Sequence, residues 1–242
     1  MGGNGSRHLR TGGSAKLAMA GLVLIAAWAM VGCTTAPAAS TWVDIPGVHR
    51  PEPQAYPKQN DNAIGDPRAP VRIDEYGDFQ CIYCRQFALN TEPQIINSDV
   101  ATGTVYFVFH SMGNFLSRFS KGVDTESEDA AMAAYAAGAQ HRFWQYHDVL
   151  FANQKRENSG WVGRSSLDAF ARAIGLDLNR FNAALADGRY RARVRRDEAE
   201  GTRLGVTGTP TFFVNGRRIV GAQPFAVIQT AIDAALAAKG SN

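Results

Sequence analysis

The feature that most constrains this chain is a pair of cysteines, Cys81 and Cys84, set between a strand-like run and a helix-like run. Val71-Arg72-Ile73-Asp74-Glu75-Tyr76 alternates apolar and polar residues, the period of a strand with one covered face. The stretch after Cys81 reads as a helix to about Asn97, interrupted by Pro93, which is expected to kink it. A strand that feeds a helix at this point sets Cys81 at the helix N-terminus. Unpaired backbone N–H groups and the helix dipole favour an anion there. The anion available is the Cys81 thiolate, the reacting species in disulfide exchange. The same alternation puts Val71, Ile73 and Glu75 on one face, so the Glu75 carboxyl points where the apolar residues point. Desolvation would raise its proton affinity and equip it to exchange a proton with Cys84.

Charge separates the N-terminal segment from the rest. The 242 residues carry a net charge of +3. Residues 1–32 hold Arg7, Arg10 and Lys16 and no acid, which leaves 22 basic and 22 acidic residues in the remainder. The basic excess is therefore a targeting feature, and no nucleic-acid partner is implied. After those charges comes the apolar run Leu17–Val31, shorter than the roughly 20 residues of a membrane span. This is the charged-then-apolar order of an export signal over residues 1–32. Cys33 follows directly, in a position resembling the lipidated cysteine of bacterial lipoproteins. An uncleaved anchor, or ordinary cleavage near Ala36-Pro37-Ala38, remains the alternative, and each version exports the chain. The expected location is the outer face of the cell membrane or a secreted or periplasm-like space.

With Cys33 assigned a separate fate, Cys81 and Cys84 stand as a lone pair, with no framework of structural disulfides around them. An exported chain that keeps only a Cys-x-x-Cys uses it for redox chemistry or for metal. Zinc needs a second half-site. No second cysteine pair exists, and His8, His49, His110, His141 and His147 form no ligand-spaced pair. Neither a metal nor an organic cofactor is expected.

Residues 33–62 are rich in Ala, Pro, Thr and Gln and read as a tether, with Trp42–Ile45 either a short strand or a contact. Thr104–Phe109 is a β-branched and aromatic run, the pattern of a strand buried on both faces. Strand, helix and strand at this spacing make a right-handed βαβ unit. Residues 126–187 turn helical, with Phe143, Trp144, His147, Leu150 and Phe151 at helical spacing as core. A further helix, Gly188–Leu204, carries Arg189, Arg191, Arg193, Arg195 and Arg196 mixed with acids, the composition of a solvated face. Thr211–Val214 and Arg217–Val220 flank Asn215-Gly216, a hairpin signal, and a last helix opens at Pro224.

Without the helical block, this order is that of thioredoxin: an α/β fold with a central mixed sheet flanked by helices. The stretches Ile64–Val71, Phe79–Cys84 and Gly205–Phe212, together with the helical insertion, resemble the DsbA-type thiol–disulfide oxidoreductases over about residues 62–240. The resemblance implies a thioredoxin-like domain of residues 63–125 and 188–242 with an insertion at 126–187. It implies Cys81 as nucleophile, Cys84 as resolving cysteine in a Cys81–Cys84 redox disulfide, and Glu75 as the acid behind them. It implies Pro210 as a cis-proline facing the pair, which would turn the Thr209 backbone toward substrate for strand-like pairing. Ile82 departs from the proline usual after the first cysteine. The expected activity is disulfide formation in reduced or unfolded exported proteins, with reduction, isomerisation or peptide-binding chaperone work as alternatives. A membrane-bound oxidase would recycle the pair, and no dimerisation module is visible, so a monomer is expected.

Overall fold

The computed structural model describes Met1, residues 42–113, 115–116 and 126–240. Residues 2–41, and with them the expected signal and Cys33, lie outside the described residues. Among the described residues, five strands form one sheet: β1 Ala63–Ile64, β2 Val71–Gly77, β3 Val105–Ser111, β4 Thr211–Val214 and β5 Arg217–Val220. Their order is β1-β3-β2-β4-β5. β2 runs parallel to β3, and the other pairings are antiparallel. Asn215 and Gly216 close the β4–β5 hairpin with φ of 45° and 86°. Positive φ at both turn positions is the requirement of a type I′ turn, which these two residue types meet at least cost.

Alternation along β2 works as expected. Val71 and Ile73 are fully buried, and Arg72 between them is exposed. β3 is covered fully on one face and in part on the other, where Val108 is buried. Val105, Phe107 and Phe109 are fully buried, whereas Tyr106 and His110 on the other face are only half-buried. Their polar atoms explain the difference: His110 Nε2 lies 2.7 Å from Asp74 Oδ1, and Arg72 lies over the Tyr106 ring.

The helix after the cysteine pair is in pieces. α1 spans Ile82–Asn90, α2 spans Glu92–Ile95, and a π-helical turn covers Ile96–Val100. Pro93 lies in the first turn of α2, where its missing N–H costs least, so the chain breaks at Thr91 instead of kinking at the proline.

The helical block comprises α3 Glu126–Gly138, α4 Phe143–Ala152, α5 Arg164–Ala173 and α6 Leu178–Ala186. α4 places its aromatic face on β3: Trp144 packs on Phe107, and both Phe143 and His147 pack on Phe109. Every residue of α3 from Ala130 to Ala137 is buried, and this run of small side chains lets neighbouring elements approach on all sides. α7 spans Arg189–Arg203 and α8 spans Phe225–Gly240.

Two expectations change here. The arginines of α7 do more than face solvent. Arg193 pairs with Asp61 and lies 3.9 Å over the Tyr135 ring, and Arg191 and Arg195 both reach Glu128. The proline-rich segment is also not free along its length. From Trp42 onward it lies on the fold: the Val43 N–H donates to the Ala173 carbonyl, Asn153 bridges the backbone of His49, and Tyr56 stacks on Trp144. Trp42–Ile45 is a contact and forms no strand. Its aromatic residues cover the helical block, which composition alone does not reveal.

Candidate active site

The end of β2 delivers the site. Glu75 stands in register with Phe109 on one side and Phe212 on the other, on the face that carries Val71 and Ile73. Its side chain is fully buried, and neither carboxyl oxygen has a partner. Burial, and then the charge of Cys81, push its pKa up to about 8. Gly77 follows, and only a glycine fits there. A Cβ would stand 2.7 Å from the Phe109 ring and 3.2 Å from Glu75 Oε1.

A short turn then leads to Cys81, the N-cap of α1. Both cysteines are free thiols. Cys81 is 5% exposed and Cys84 fully buried, while Ile82 and Tyr83 between them are 62% and 60% exposed. The pair is strongly asymmetric. Cys81 is lowered to about 6, first by a hydrogen bond from the Cys84 thiol, with burial opposing. Thr209 and the backbone N–H groups of Cys84 and Tyr83 lower it further. Those two N–H groups are the open donors of the first turn of α1. Cys84 is raised well above an ordinary thiol, by burial first and then by its bond to Cys81.

Facing the pair, the Thr209–Pro210 peptide bond is cis, and the Thr209 carbonyl accepts from Cys81 Sγ at 3.3 Å. The structure thus brings Cys81, Cys84, Glu75, Thr209 and Pro210 to one place. Cys33 lies outside the described residues.

Two contributors escaped the sequence reading. Asp78 is fully buried and its pKa is pushed up to about 7 by burial, against hydrogen bonds that favour the charged form. It accepts from the N–H groups of Gln80 at 2.9 Å and Leu116 at 3.4 Å, and its own N–H donates to Cys84 Sγ at 3.4 Å. Gln154, from the segment after α4, donates its amide to the carbonyls of Phe79 at 2.8 Å and Cys81 at 3.1 Å. Asp78 lies three residues before Cys81 and was available as a signal. Gln154 lies 73 residues beyond Cys81 and carried none.

A further cluster forms beneath the turn. Glu92, His147 and Asp148 bring potential ligand atoms within 4.8 Å of one another. His147 Nδ1 is 2.9 Å from Asp148 and Nε2 is 3.7 Å from Glu92. The ring is enclosed by Phe79, Phe109, Phe143, Trp144 and Phe151. Burial holds the Glu92 carboxyl well above the usual carboxylate range. Glu92 is far in sequence from the adjacent His147 and Asp148, so ligand spacing could not find the group. Among the described residues, the two cysteines are joined by no third His, Cys, Asp or Glu ligand atom at comparable range.

The arrangement supplies a stabilised thiolate, a second thiol held protonated beside it, and two buried carboxyls able to take its proton. Comparison with known proteins agrees with this fold. Residues 58–234 match the family described as Thioredoxin. The chain is 36% identical over 177 residues to a protein named Na(+)/H(+) antiporter NhaA 1 from Salinispora arenicola, a match covering 73% of the chain and 25% of that relative. The chain therefore spans about a quarter of the antiporter's length. It is 27% identical over 164 residues to a protein named Probable disulfide bond formation protein D from Bacillus anthracis, covering 67% of the chain and 72% of the relative. Among solved structures, BdbD from Bacillus subtilis superposes with a TM-score of 0.63 at 22% identity, over 76% of this chain and 96% of that one. α-DsbA1 from Wolbachia pipientis gives 0.61 at 22% identity, over 74% and 92%. The chain belongs to the thioredoxin family, and its fold is that of the DsbA-type thiol–disulfide oxidoreductases.

Proposed function

We propose that the chain is an extracytoplasmic protein thiol–disulfide oxidoreductase that works as a dithiol oxidase on exported proteins. The observation that carries this reading is the asymmetry of the pair, with Cys81 at about 6 and Cys84 held far above it. A low thiolate pKa stabilises the reduced pair, which makes the disulfide form a stronger oxidant. Resemblance to a disulfide bond formation protein supports the same direction.

The steps follow from the positions. A substrate thiolate attacks Cys81 Sγ of the Cys81–Cys84 disulfide. A substrate–Cys81 disulfide forms, and Cys84 leaves and takes up a proton. A second substrate thiolate then attacks its neighbouring substrate sulfur, and Cys81 leaves as the thiolate. The substrate ends with a disulfide and the protein with a dithiol. Cys84 is the sulfur that must gain and lose a proton, and Glu75 and Asp78 are the buried acids placed to exchange it. The cis Thr209–Pro210 bond sets the Thr209 backbone beside Cys81, where an extended substrate segment can pair with it.

Export rests on residues 1–32 and anchoring on lipidation of Cys33. Among the described residues no helix is long and apolar enough to cross a membrane. Net reoxidation requires a disulfide donor, for which a membrane-bound oxidase is the proposed partner, and the chain is proposed to act as a monomer. Ion transport is not carried over from relatives matched over a quarter of their length.

Ile82 favours one second reading. An exposed isoleucine stands where the resembling family has proline, and the residues between the cysteines tune the potential, so reduction or isomerisation is the alternative direction. The deciding experiment mixes oxidised protein with a reduced, unfolded two-cysteine substrate and follows free thiols. Oxidation faster than with Cys81→Ser supports the oxidase, and equal rates overturn it. An equilibrium potential close to that of thioredoxin, about −270 mV, would transfer the reading to a reductase.

A further inference from the structure

We propose that a cationic cleft beside the cysteine pair selects substrate polypeptides carrying Asp or Glu next to the reacting cysteine. This rests on the oxidoreductase reading and names its substrate class.

The cleft has a volume of about 480 Å³ and begins at Ile82, the residue after Cys81. Arg85, Lys155, Arg156 and Glu157 line it, three cations against one carboxylate. Ile82, next to Cys81 in the chain, supplies an exposed apolar side chain to the lining. Arg85 lies four residues after Cys81, one helical turn along α1, so its charge flanks the approach to the nucleophile. Its Nε donates to the Phe151 carbonyl at 2.9 Å, which fixes the guanidinium and leaves its other N–H groups for a ligand. Lys155 and Arg156 are exposed. Among the described residues, no ion pair engages any of the three cations.

The backbone carrying two of these charges is held in place relative to the sulfur. Gln154, the residue before Lys155, is bonded to the carbonyls of Phe79 and Cys81. Gln80 closes the other side, with its oxygen accepting from the Asn158 N–H at 2.7 Å and its amide donating to Asn158 Oδ1 at 3.1 Å. The segment carrying Lys155 and Arg156 is thus tied at both ends to the turn that carries Cys81. The backbone from which the two side chains reach is therefore already ordered, and only their own rotamers remain to be ordered when they meet a carboxylate. An extended polypeptide joined to Cys81 through its own cysteine would lay its neighbouring residues across this cleft.

The test uses the oxidised full chain and three two-cysteine peptides, identical except that the residues flanking the cysteines are Asp/Glu, Asn/Gln or Lys/Arg. Second-order oxidation rates are measured at low salt and at about 1 M salt, where the screening length falls to about 3 Å. The same peptides are then given to the K155E/R156E variant. Each rate is read relative to the neutral peptide on the same protein. Comparing the two proteins cancels the effect of flanking charge on the peptide's own thiols.

Relative to the neutral peptide, the acidic one is expected to react about fivefold faster with the wild type than with the variant, on the order of a few exposed ion pairs acting together. The preference should also fade at high salt in the wild type alone, a readout that needs no variant. An acidic-to-neutral ratio that is the same in both proteins, or unchanged by salt, overturns the cleft as a selector and leaves the oxidoreductase reading standing. If no peptide is oxidised, the reading beneath it falls, and this proposal with it.

Discussion

The carbonyl of Thr209 accepts a hydrogen bond from Cys81 Sγ at 3.3 Å, joining residues 128 positions apart. The contact sets the backbone preceding Pro210 against Cys81 and tells the two cysteines apart. Cys81 meets this carbonyl, whereas Cys84 is fully enclosed and meets the Asp78 N–H.

The asymmetry predicts which variant traps a substrate. In Cys84→Ser the first attack can occur but the internal release cannot. Incubation with a substrate carrying an activated disulfide should accumulate a covalent complex, visible by intact mass under non-reducing conditions. Cys81→Ser should give no such complex, because Cys84 is buried and keeps its proton at neutral pH.

Glu75 should make stability depend on pH in a defined direction. Its folded pKa of about 8 lies above the 4.5 of an ordinary glutamate. Between those values the folded carboxyl keeps a proton that the unfolded chain has released, so stability falls as pH rises through the window. Asp78, at about 7 against 3.8, acts the same way over a lower range. Reduced Cys81, at about 6 against 9.0, acts oppositely and adds stability between those values. The oxidised protein removes that effect and also the part of the carboxyl shifts that the Cys81 charge supplies, leaving the larger part, which is due to burial. Urea unfolding of the oxidised protein at pH 5 and pH 8 should show a loss in the wild type that Glu75→Gln reduces by roughly 2–4 kcal/mol. The same variant should slow reactions that deprotonate Cys84 by roughly 100-fold, the lower end of general-base contributions.

Much of this was legible in the chain. Period two in β2 placed Glu75 on the covered face, Asn215-Gly216 marked the hairpin, and Cys81 at the start of a helix followed from the strand before it. What was missed depends on partners distant in sequence. The α7 arginines read as solvated because Asp61, Glu128 and the Tyr135 ring reach them from other elements. The proline-rich segment read as a tether throughout because its composition records no surface for Trp42 and Tyr56 to cover. Gln154 and the Glu92–His147–Asp148 group are likewise products of the fold, with no local pattern to betray them.

Gln154 offers a test of how the turn is held. Its amide serves the carbonyls of Phe79 and Cys81. Gln154→Ala should cost about 1 kcal/mol in chemical denaturation, because the Phe79 carbonyl loses its donor while the Cys81 carbonyl keeps the Arg85 N–H at 3.0 Å. It should also raise hydrogen exchange across residues 78–82 more than elsewhere.

Gly77 tests the close packing behind the site. An alanine there meets the Phe109 ring at 2.7 Å, so Gly77→Ala should destabilise by about 1–3 kcal/mol as ring and strand shift. Because the new methyl also meets Glu75 Oε1, the pH dependence assigned to Glu75 should change with it, which thermal unfolding at two pH values would register.

The most direct measurement is the titration of Cys81 in the reduced protein, following thiolate absorbance near 240 nm with Cys81→Ser as the blank. The account predicts a single thiolate appearing with a midpoint close to 6, with Cys84 silent through neutral pH. A midpoint near 8.5, the value of an ordinary free cysteine, would contradict it.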